Sequence, residues 1–389
     1  MDFALTEAQE MIRKEVAGLA RGFSLDYWLE KDEKAEYPYE FIKAFADAGW
    51  LGIMVPEAYG GAGLGVTEAA LMLHEICASG AGTSGASPVH FYVFPPTPLI
   101  KYGTEAMKRK YLPQIVSGEI VMAFGVTEPN AGSDTTKLQT TAIKKADKYV
   151  VNGQKMFISR VLQSDLMLLL ARTTPVDQVK KKTDGLSVFL IDIRELKGKG
   201  LDVRPLRMMM NHSTNALFFD NMEIPATALI GQEGKGFSYI LDGMNAERIL
   251  VASDSLGDAR WFIEKAVGYV GQRVIFGKPI GANQGVQFPI AKAHVSIEAA
   301  DLMRTKAARM FDAGIPCGGE ANMAKYLASE AAIEAGNACI DAHGGYGFAE
   351  EYDIERKFRE SRLYRAAPIN NNLVLAFVGE HVLGMPRSY

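Results

Sequence analysis

The segment from residue 124 to residue 134 has the side chains best suited to binding a polar ligand. Its sequence is Phe-Gly-Val-Thr-Glu-Pro-Asn-Ala-Gly-Ser-Asp. Pro129, Asn130 and Gly132 are turn formers, and such turns expose backbone N–H groups. The hydroxyls of Thr127 and Ser133 can hydrogen-bond to a polar heterocycle or to a phosphate. A loop of this composition is more often only a loop, so its meaning depends on the rest of the chain.

The histidines and cysteines do not suggest a metal or disulfide site. The six histidines never occur in HxxxH or HxH spacing, and the three cysteines never occur in CxxC spacing. Cys77, Cys317 and Cys339 are too few and too scattered for a disulfide framework. We therefore expect no metal, and we expect a cytoplasmic location or an organelle matrix.

The secondary structure predicted on either side of this loop changes twice along the chain, from helices to strands and back to helices. Apolar residues recur at helical spacing before residue 120, and Thr6 with Gln9 predicts a helix start. Short β-type runs follow at 166–171, 186–191 and 216–219. Asn152-Gly153, between two strand-like runs, predicts a hairpin turn.

Helical spacing returns at residue 237 and continues to the end of the chain. Helices are predicted over 239–269, 286–313, 321–342 and 371–383. Four helices in this order suggest a bundle. The sequence therefore predicts an α+β fold with an all-α region at 1–120, a β region at 121–232 and a four-helix bundle at 233–389.

Composition excludes several classes of partner. The chain has 389 residues and a formal net charge of −4, whereas nucleic-acid binding usually needs a basic surface. No apolar run reaches the ~18–20 residues that span a bilayer, and residues 1–10 show no signal-peptide pattern. We expect neither nucleic acid nor a membrane as a partner.

Five segments, in chain order, resemble motifs of the acyl-CoA dehydrogenase family. They are 122–133, Asn152–Ser159, Gly231–Gly236, Arg273–Gln284 and Asp341–Phe348. The second resembles the family's NGxKxWIT strand, the fourth its R-x-x-F-G element, and the last its QxxGGxGF turn with Asp341 in place of Gln. The resemblance covers nearly the whole chain.

The resemblance implies FAD as a tightly bound cofactor, with a β-barrel-like middle domain. The cofactor-binding residues that it implies are Thr127, Ser133, Phe157, Ser159, Arg273, Phe276, Gln284, Asp341, Gly345 and Asn370. In the family the Arg reaches the FAD of a neighbouring subunit, so a homotetramer, a dimer of dimers with shared FAD sites, is implied. No GxGxxG fingerprint occurs. An electron-transfer flavoprotein is the implied electron acceptor.

The implied reaction removes a proton from Cα of an acyl-CoA thioester and a hydride from Cβ. Many family members use a Glu in a Tyr-Glu-Gly-Thr loop as the base, but Pro368 stands there in this chain. The isovaleryl-CoA and long-chain branches use a Glu directly before an Arg on the first bundle helix, and Glu247-Arg248 matches that pattern. We therefore predict Glu247 as the catalytic base, with Arg248 either supporting CoA or pairing with an acid of the bundle.

Pro368 also removes the backbone N–H with which the family holds the thioester carbonyl. With Ser133 and Arg248, it is expected to contact the substrate. The altered loop suggests a branched, cyclic or short-to-medium acyl group. Residues 90–96, a run rich in aromatics, either shorten the acyl tunnel or belong to the core.

Two other hypotheses stay open on sequence alone. One is a different flavoenzyme on the same fold: an acyl-CoA desulfinase, an oxidase or a monooxygenase. The other is a non-catalytic flavin-binding or DNA-associated relative, although the net charge of −4 makes DNA an unexpected partner.

Overall fold

The computed structural model describes residues 4–387. Its helices are α1 (Glu7–Arg21), α2 (Leu25–Glu33), α3 (Tyr39–Asp47), α4 (Val66–Ile76), α5 (Gly82–Val93), α6 (Thr97–Tyr102), α7 (Glu105–Val116), α8 (Gly236–Gln272), α9 (Gln284–Asp312), α10 (Gly318–His343), α11 (Ile354–Ser361) and α12 (Asn371–Phe377). Its strands are β1 (Met122–Gly125), β2 (Thr141–Lys145), β3 (Lys148–Ser159), β4 (Leu166–Arg172), β5 (Leu186–Asp192), β6 (Leu201–Pro205), β7 (Thr214–Pro225), β8 (Val274–Ile275) and β9 (Lys278–Pro279). The helical, sheet and helical order confirms the predicted fold class. The boundaries at 120 and 232 stay a prediction.

The chain divides into two compact units. The helical unit contains 4–44, 64–89 and 245–387, and the sheet unit contains 45–63 and 90–244.

The helical unit is built around the long helices α8, α9 and α10, with α12 as the short fourth helix. The inward face of α10 is mostly alanine, and these small side chains allow close packing between helices. Phe262 of α8 lies 3.3 Å from the position that a Cβ on Gly336 of α10 would occupy. The predicted last helix is found as α12 followed by a wider π-type turn, Val378–Val382.

The start of α1 follows the predicted pattern. The Thr6 hydroxyl accepts from the Gln9 backbone N–H, and the Gln9 side chain accepts from the Thr6 N–H. This reciprocal arrangement satisfies two N–H groups that a helix start would otherwise leave unpaired.

The sheet unit contains one mixed sheet of seven strands. Its order is β1-β4-β2-β3-β7-β6, with β5 paired to β4. Strand β1 is parallel to β4, and the β2–β3, β3–β7 and β4–β5 pairs are antiparallel. The predicted apolar runs at 166–171 and 186–191 form β4 and β5, which are buried along nearly their whole length. A continuous apolar run is typical of a strand covered on both faces.

The hairpin turn predicted at Asn152-Gly153 is wrong. Strand β3 continues through both residues, and the β2–β3 turn lies earlier, at Ala146-Asp147. A Cβ on Gly153 would lie 2.7 Å from Thr140 Cα, so the glycine permits a close backbone approach. The Asn152 side chain accepts from the Asn221 N–H at 2.8 Å and thereby ties β3 to β7.

Two further features are the hydropathy of the helices and the state of the cysteines. None of the helices within 4–387 is long and apolar enough to cross a membrane. The three cysteines are buried free thiols.

Candidate active site

The sheet unit forms the loop after β1 into a tight turn. The backbones of Glu128 and Ala131 exchange hydrogen bonds of 3.2 and 3.1 Å. This turn leaves Pro129 and Asn130 exposed. Thr127 is half-buried and Ser133 is exposed, so both hydroxyls lie at the surface of the sheet unit. The turn therefore has the exposed polar groups that the sequence indicates.

A buried ion pair lies beneath this loop, and sequence analysis missed it. Lys155 Nζ donates to Glu128 Oε1 at 2.9 Å, and Lys155 has no exposed surface. Glu128 also accepts from the N–H groups of Gln139 and Thr140, at 2.7 and 2.9 Å. These donors and Lys155 hold the pKa of Glu128 below its usual value despite its burial. The sequence signal that could have revealed this ion pair is a lysine within a run of residues that otherwise has the pattern of a buried strand.

Phe157 lies in a β-bulge of β3. Lys155 pairs with Leu217 and Ile158 with Asn215, so Met156 and Phe157 together face the single residue between those partners. Phe157 takes a φ of +60° and leaves 59% of its surface exposed. The bulge therefore turns a flat aromatic ring outward, two residues before the half-buried Ser159. The Met156 N–H donates to Thr127 O at 2.9 Å, which joins this strand to the loop.

In the helical unit, α8 carries the predicted base. Glu247 is only 7% exposed. Arg248 Nη1 donates to Asn245 Oδ1 at 2.8 Å, and burial lowers the pKa of Arg248 to about 10 although the neighbouring Glu247 raises it. A buried carboxylate is thus followed directly on α8 by a partly buried guanidinium.

Hydrogen bonds to α10 fix the segment that carries Pro368. Asn371 accepts from Lys325 Nζ at 2.6 Å and donates to Glu330 Oε1 at 2.7 Å, both residues of α10. Burial lowers the pKa of Lys325 to about 8. The Ala366 and Ala367 N–H groups both donate to Leu363 O at 2.9 Å. Neither amide can therefore replace the missing N–H of Pro368. Sequence analysis also missed this anchor.

A second group of predicted cofactor residues surrounds the short β8–β9 hairpin. Phe276 and Gly277 form its turn with φ values of +51° and +76°, and Phe276 is fully exposed. Arg273 is exposed and lies 5.9 Å from the ring centre of Tyr346, the residue after Gly345. Guanidinium groups held this way are suited to binding phosphates.

The remaining predicted cofactor residues lie at separate places in the helical unit. Asp341 is part of a groove of about 460 Å³ between α9 and α10, lined also by Phe288, Lys292 and Asn337. Gln284 is exposed at the first turn of α9, and Asn370 accepts from the Leu373 N–H to cap α12.

The donor set fits a flavin dinucleotide. The sheet unit offers an outward aromatic ring with hydroxyls beside it, and the helical unit offers an exposed guanidinium and a groove whose mostly apolar lining includes Lys292, Asn337 and Asp341. The sheet unit brings Thr127 and the Phe157 segment together through the Met156 bond. Within the helical unit, Arg273 and the Gly345 turn adjoin.

Three family models match the chain. The acyl-CoA dehydrogenase N-terminal domain matches residues 6–119, the middle domain 123–222 and the C-terminal domain 234–383. Among curated proteins, Acyl-CoA dehydrogenase FadE12 of Mycobacterium tuberculosis is 35% identical and covers 100% of this chain and 99% of its own. Acyl-CoA dehydrogenase of Bacillus subtilis is 36% identical, over 98% and 99%.

Solved structures give the same similarity. A glutaryl-coenzyme A dehydrogenase in complex with glutaryl-CoA matches with a TM-score of 0.92 at 31% identity, over 100% of this chain and 98% of that one. Butyryl-CoA dehydrogenase of Megasphaera elsdenii matches with a TM-score of 0.91 at 31% identity, over 98% and 100%. PigA with FAD and proline matches with a TM-score of 0.92 at 27% identity, over 99% and 100%.

Proposed function

The chain belongs to the acyl-CoA dehydrogenase family and is an oxidoreductase that acts on acyl-CoA, and from this premise we propose that it is an FAD-dependent α,β-dehydrogenase of acyl-CoA thioesters. The observation that carries the proposal is a nearly enclosed carboxylate, Glu247, placed directly before Arg248 on α8. FAD, when bound, supplies the acceptor for the hydride that leaves Cβ.

Glu247 is the proposed base for the Cα proton. A general base must be ionised before the reaction and shielded from water while it works. Its 7% exposure suits such a role, because a substrate can cover the little surface that remains. Arg248 is proposed to orient the substrate, since its guanidinium is fixed by Asn245.

The thioester carbonyl needs a donor other than residue 368. Pro368 has no N–H, and the two amides before it are already bonded to Leu363. We place Pro368 at the wall of the substrate site, where it shapes the space near Cα. Removing one such donor elsewhere costs ~10²–10³ in rate, so another donor must contribute.

FAD is proposed to bind both groups of residues described above. Thr127, Ser133, Phe157 and Ser159 would contact the flavin end from the sheet unit. In the helical unit, Arg273 would reach the dinucleotide bound by a neighbouring copy. The cofactor would also contact Phe276, Gln284, Asp341, Gly345 and Asn370. We therefore propose a homotetramer, and an electron-transfer flavoprotein as the acceptor.

The acyl group is proposed to be branched, cyclic or of short to medium length. Phe94 is buried, its ring centre lies 4.9 Å from that of Phe124, and it lies 3.4 Å from the position of a Cβ on Gly243. The family resemblance puts the acyl chain at this place, where these aromatic contacts within the sheet unit would leave less room for a long chain.

Anaerobic reduction of the bound flavin tests this function. We would mix the purified yellow protein with butyryl-, isobutyryl-, isovaleryl-, cyclohexanecarbonyl- and palmitoyl-CoA and follow the loss of visible flavin absorbance. Coenzyme A without an acyl group is the control. We expect bleaching by short, branched or cyclic thioesters. A clear preference for palmitoyl-CoA would contradict the substrate class, and bleaching by none of them would contradict the function.

A further inference from the structure

The buried pair of Glu128 and Lys155 clamps together two segments proposed to contact the flavin. Lys155 Nζ donates to Val126 O at 2.8 Å as well as to Glu128 Oε1 at 2.9 Å. One ammonium group therefore bonds to the residues on both sides of Thr127.

The same lysine lies directly before the bulge that exposes Phe157. The next N–H, that of Met156, donates to Thr127 O at 2.9 Å. Movement of Lys155 would thus change both the direction of the Thr127 hydroxyl and the position of the Phe157 ring. Glu128 extends the clamp to Gln139 and Thr140, the residues that lead into β2.

We propose that Glu128 and Lys155 are positioning residues, which hold Thr127 and Phe157 in the arrangement that binds the flavin ring. This inference rests on the proposed FAD-dependent function. The pair acts through those two residues and is not itself assigned a contact with the cofactor or the substrate.

The hydrogen bonds of the Glu128–Lys155 pair indicate that it fixes geometry and does not only stabilise the fold. A buried ion pair is weak evidence for stability, because apolar replacements of similar size are often neutral or stabilising. Directional bonds to Val126 O and to two backbone N–H groups, in contrast, fix geometry. A replacement of both partners by uncharged side chains of similar size can therefore keep the fold while it frees the loop.

The test compares Lys155→Met, the double variant Glu128→Gln/Lys155→Met and the control Lys148→Met. Lys148 lies on the same strand and pairs with Glu223 at 2.7 Å, but both side chains are exposed. We would measure the FAD dissociation constant of each apoprotein, the visible spectrum of the bound flavin and the melting temperature of the apoprotein.

We expect Lys155→Met and the double variant to bind FAD at least about tenfold more weakly, with a shifted flavin spectrum, and Lys148→Met to stay within about twofold of wild type. Wild-type affinity and spectrum in a folded Lys155→Met or double variant would overturn the proposal. If the wild-type protein itself binds no FAD, the proposed function fails instead.

The pH dependence of FAD binding to the wild-type protein can be measured without any variant. Burial lowers the pKa of Lys155 to about 8, against the opposing effect of Glu128. The charged group facing Lys155 is Glu128, which in turn interacts with the buried Arg172 of β4. FAD affinity should therefore fall as the pH rises through about 8, because the ammonium loses its proton. A flat profile between pH 7 and about 9 would contradict the lowered pKa of Lys155, and the clamp itself is decided by the two variants above.

Discussion

Helix α8 carries three buried carboxylates, those of Glu247, Asp254 and Asp258, and the first and last of these differ in their surroundings. Glu247 and Asp258 are eleven residues apart, about 16 Å along the helix axis. Glu247 keeps 7% of its surface exposed and Asp258 keeps none. Asp258 accepts from Lys357 Nζ and from Tyr364 Oη, the latter at 2.6 Å. The carboxylate that is enclosed and fully bonded has no capacity left for chemistry.

The network around Asp258 fixes an irregular stretch of backbone. Lys357 Nζ also donates to Cys77 O at 2.9 Å, and Arg356 donates to Gly80 O at 2.8 Å. Gly80 has a φ of +105°, which favours glycine. Buried cations thus satisfy carbonyl groups that the broken helix leaves without partners. Asp258 shows that burial alone does not identify a catalytic acid, because its carboxylate accepts hydrogen bonds from two buried side chains.

The largest expected effect separates the two acids by activity. Glu247→Gln should lower turnover by ~10²–10⁴, because the base is lost while the shape of the side chain is kept. Asp258→Asn should leave the turnover of the folded protein within about threefold of wild type. Steady-state turnover with an artificial acceptor, corrected for flavin content, measures both. A comparable loss in the two variants would remove the distinction.

The next largest effect distinguishes Asp258 from Glu247 by its contribution to the unfolding free energy. Asp258→Asn should cost about 3–5 kcal/mol of unfolding free energy, since its amide nitrogen cannot accept the hydrogen bond that Lys357 or Tyr364 donates to the carboxyl group. The double variant Asp258→Asn/Lys357→Met should recover part of this loss. Chemical denaturation of the four proteins gives the cycle. Additive losses would show that the two groups do not depend on each other.

A smaller effect depends on pH. Burial, with Glu360 in addition, raises the pKa of Asp258 to about 6, although Lys357 and Tyr364 oppose this. The folded state therefore binds more protons than the unfolded state between about pH 4 and 6, so this stabilising contribution is present in acid and is lost as the pH rises through about 6. Asp258→Asn should cost about 1 kcal/mol more at pH 5 than at pH 7. An equal cost at both pH values would contradict the raised pKa.

The smallest expected effect comes from another ion pair of α8, which is exposed to water. Arg260 of α8 donates to Glu298 Oε1 at 2.7 Å, but Glu298 is half-exposed. Glu298→Gln should change the unfolding free energy by less than about 0.5 kcal/mol, because water solvates both charges. Thermal unfolding measures it, and a loss near that of Asp258→Asn would mean that burial is not the deciding factor.

Local patterns predicted much of the fold. The long helices and the buried strands have periodicity or apolar runs that a short window contains, and Thr6 caps α1 through a residue only three positions away. The Asn152-Gly153 prediction was wrong because glycine is needed there for a close approach to Thr140, thirteen residues before Gly153 and on a neighbouring segment.

The site was predictable only where motifs mark it. Thr127, Phe157 and Glu247 were identified from the family resemblance, and their assigned roles stay proposals. The Glu128–Lys155 pair joins residues 27 positions apart, and the Asp258–Lys357 pair joins residues 99 apart. Partners at such separations are set by the packed fold, so the spacing of charges along the chain did not reveal them.

The most direct test of the central claim is the rate of anaerobic flavin reduction in a single turnover, for wild type and Glu247→Gln with the same acyl-CoA. This measurement isolates the chemical step from electron transfer to an acceptor. We expect the variant to keep its FAD and to bind the thioester within a fewfold of wild type, while its flavin is reduced at least about 10²-fold more slowly. Reduction at the wild-type rate would contradict Glu247 as the base.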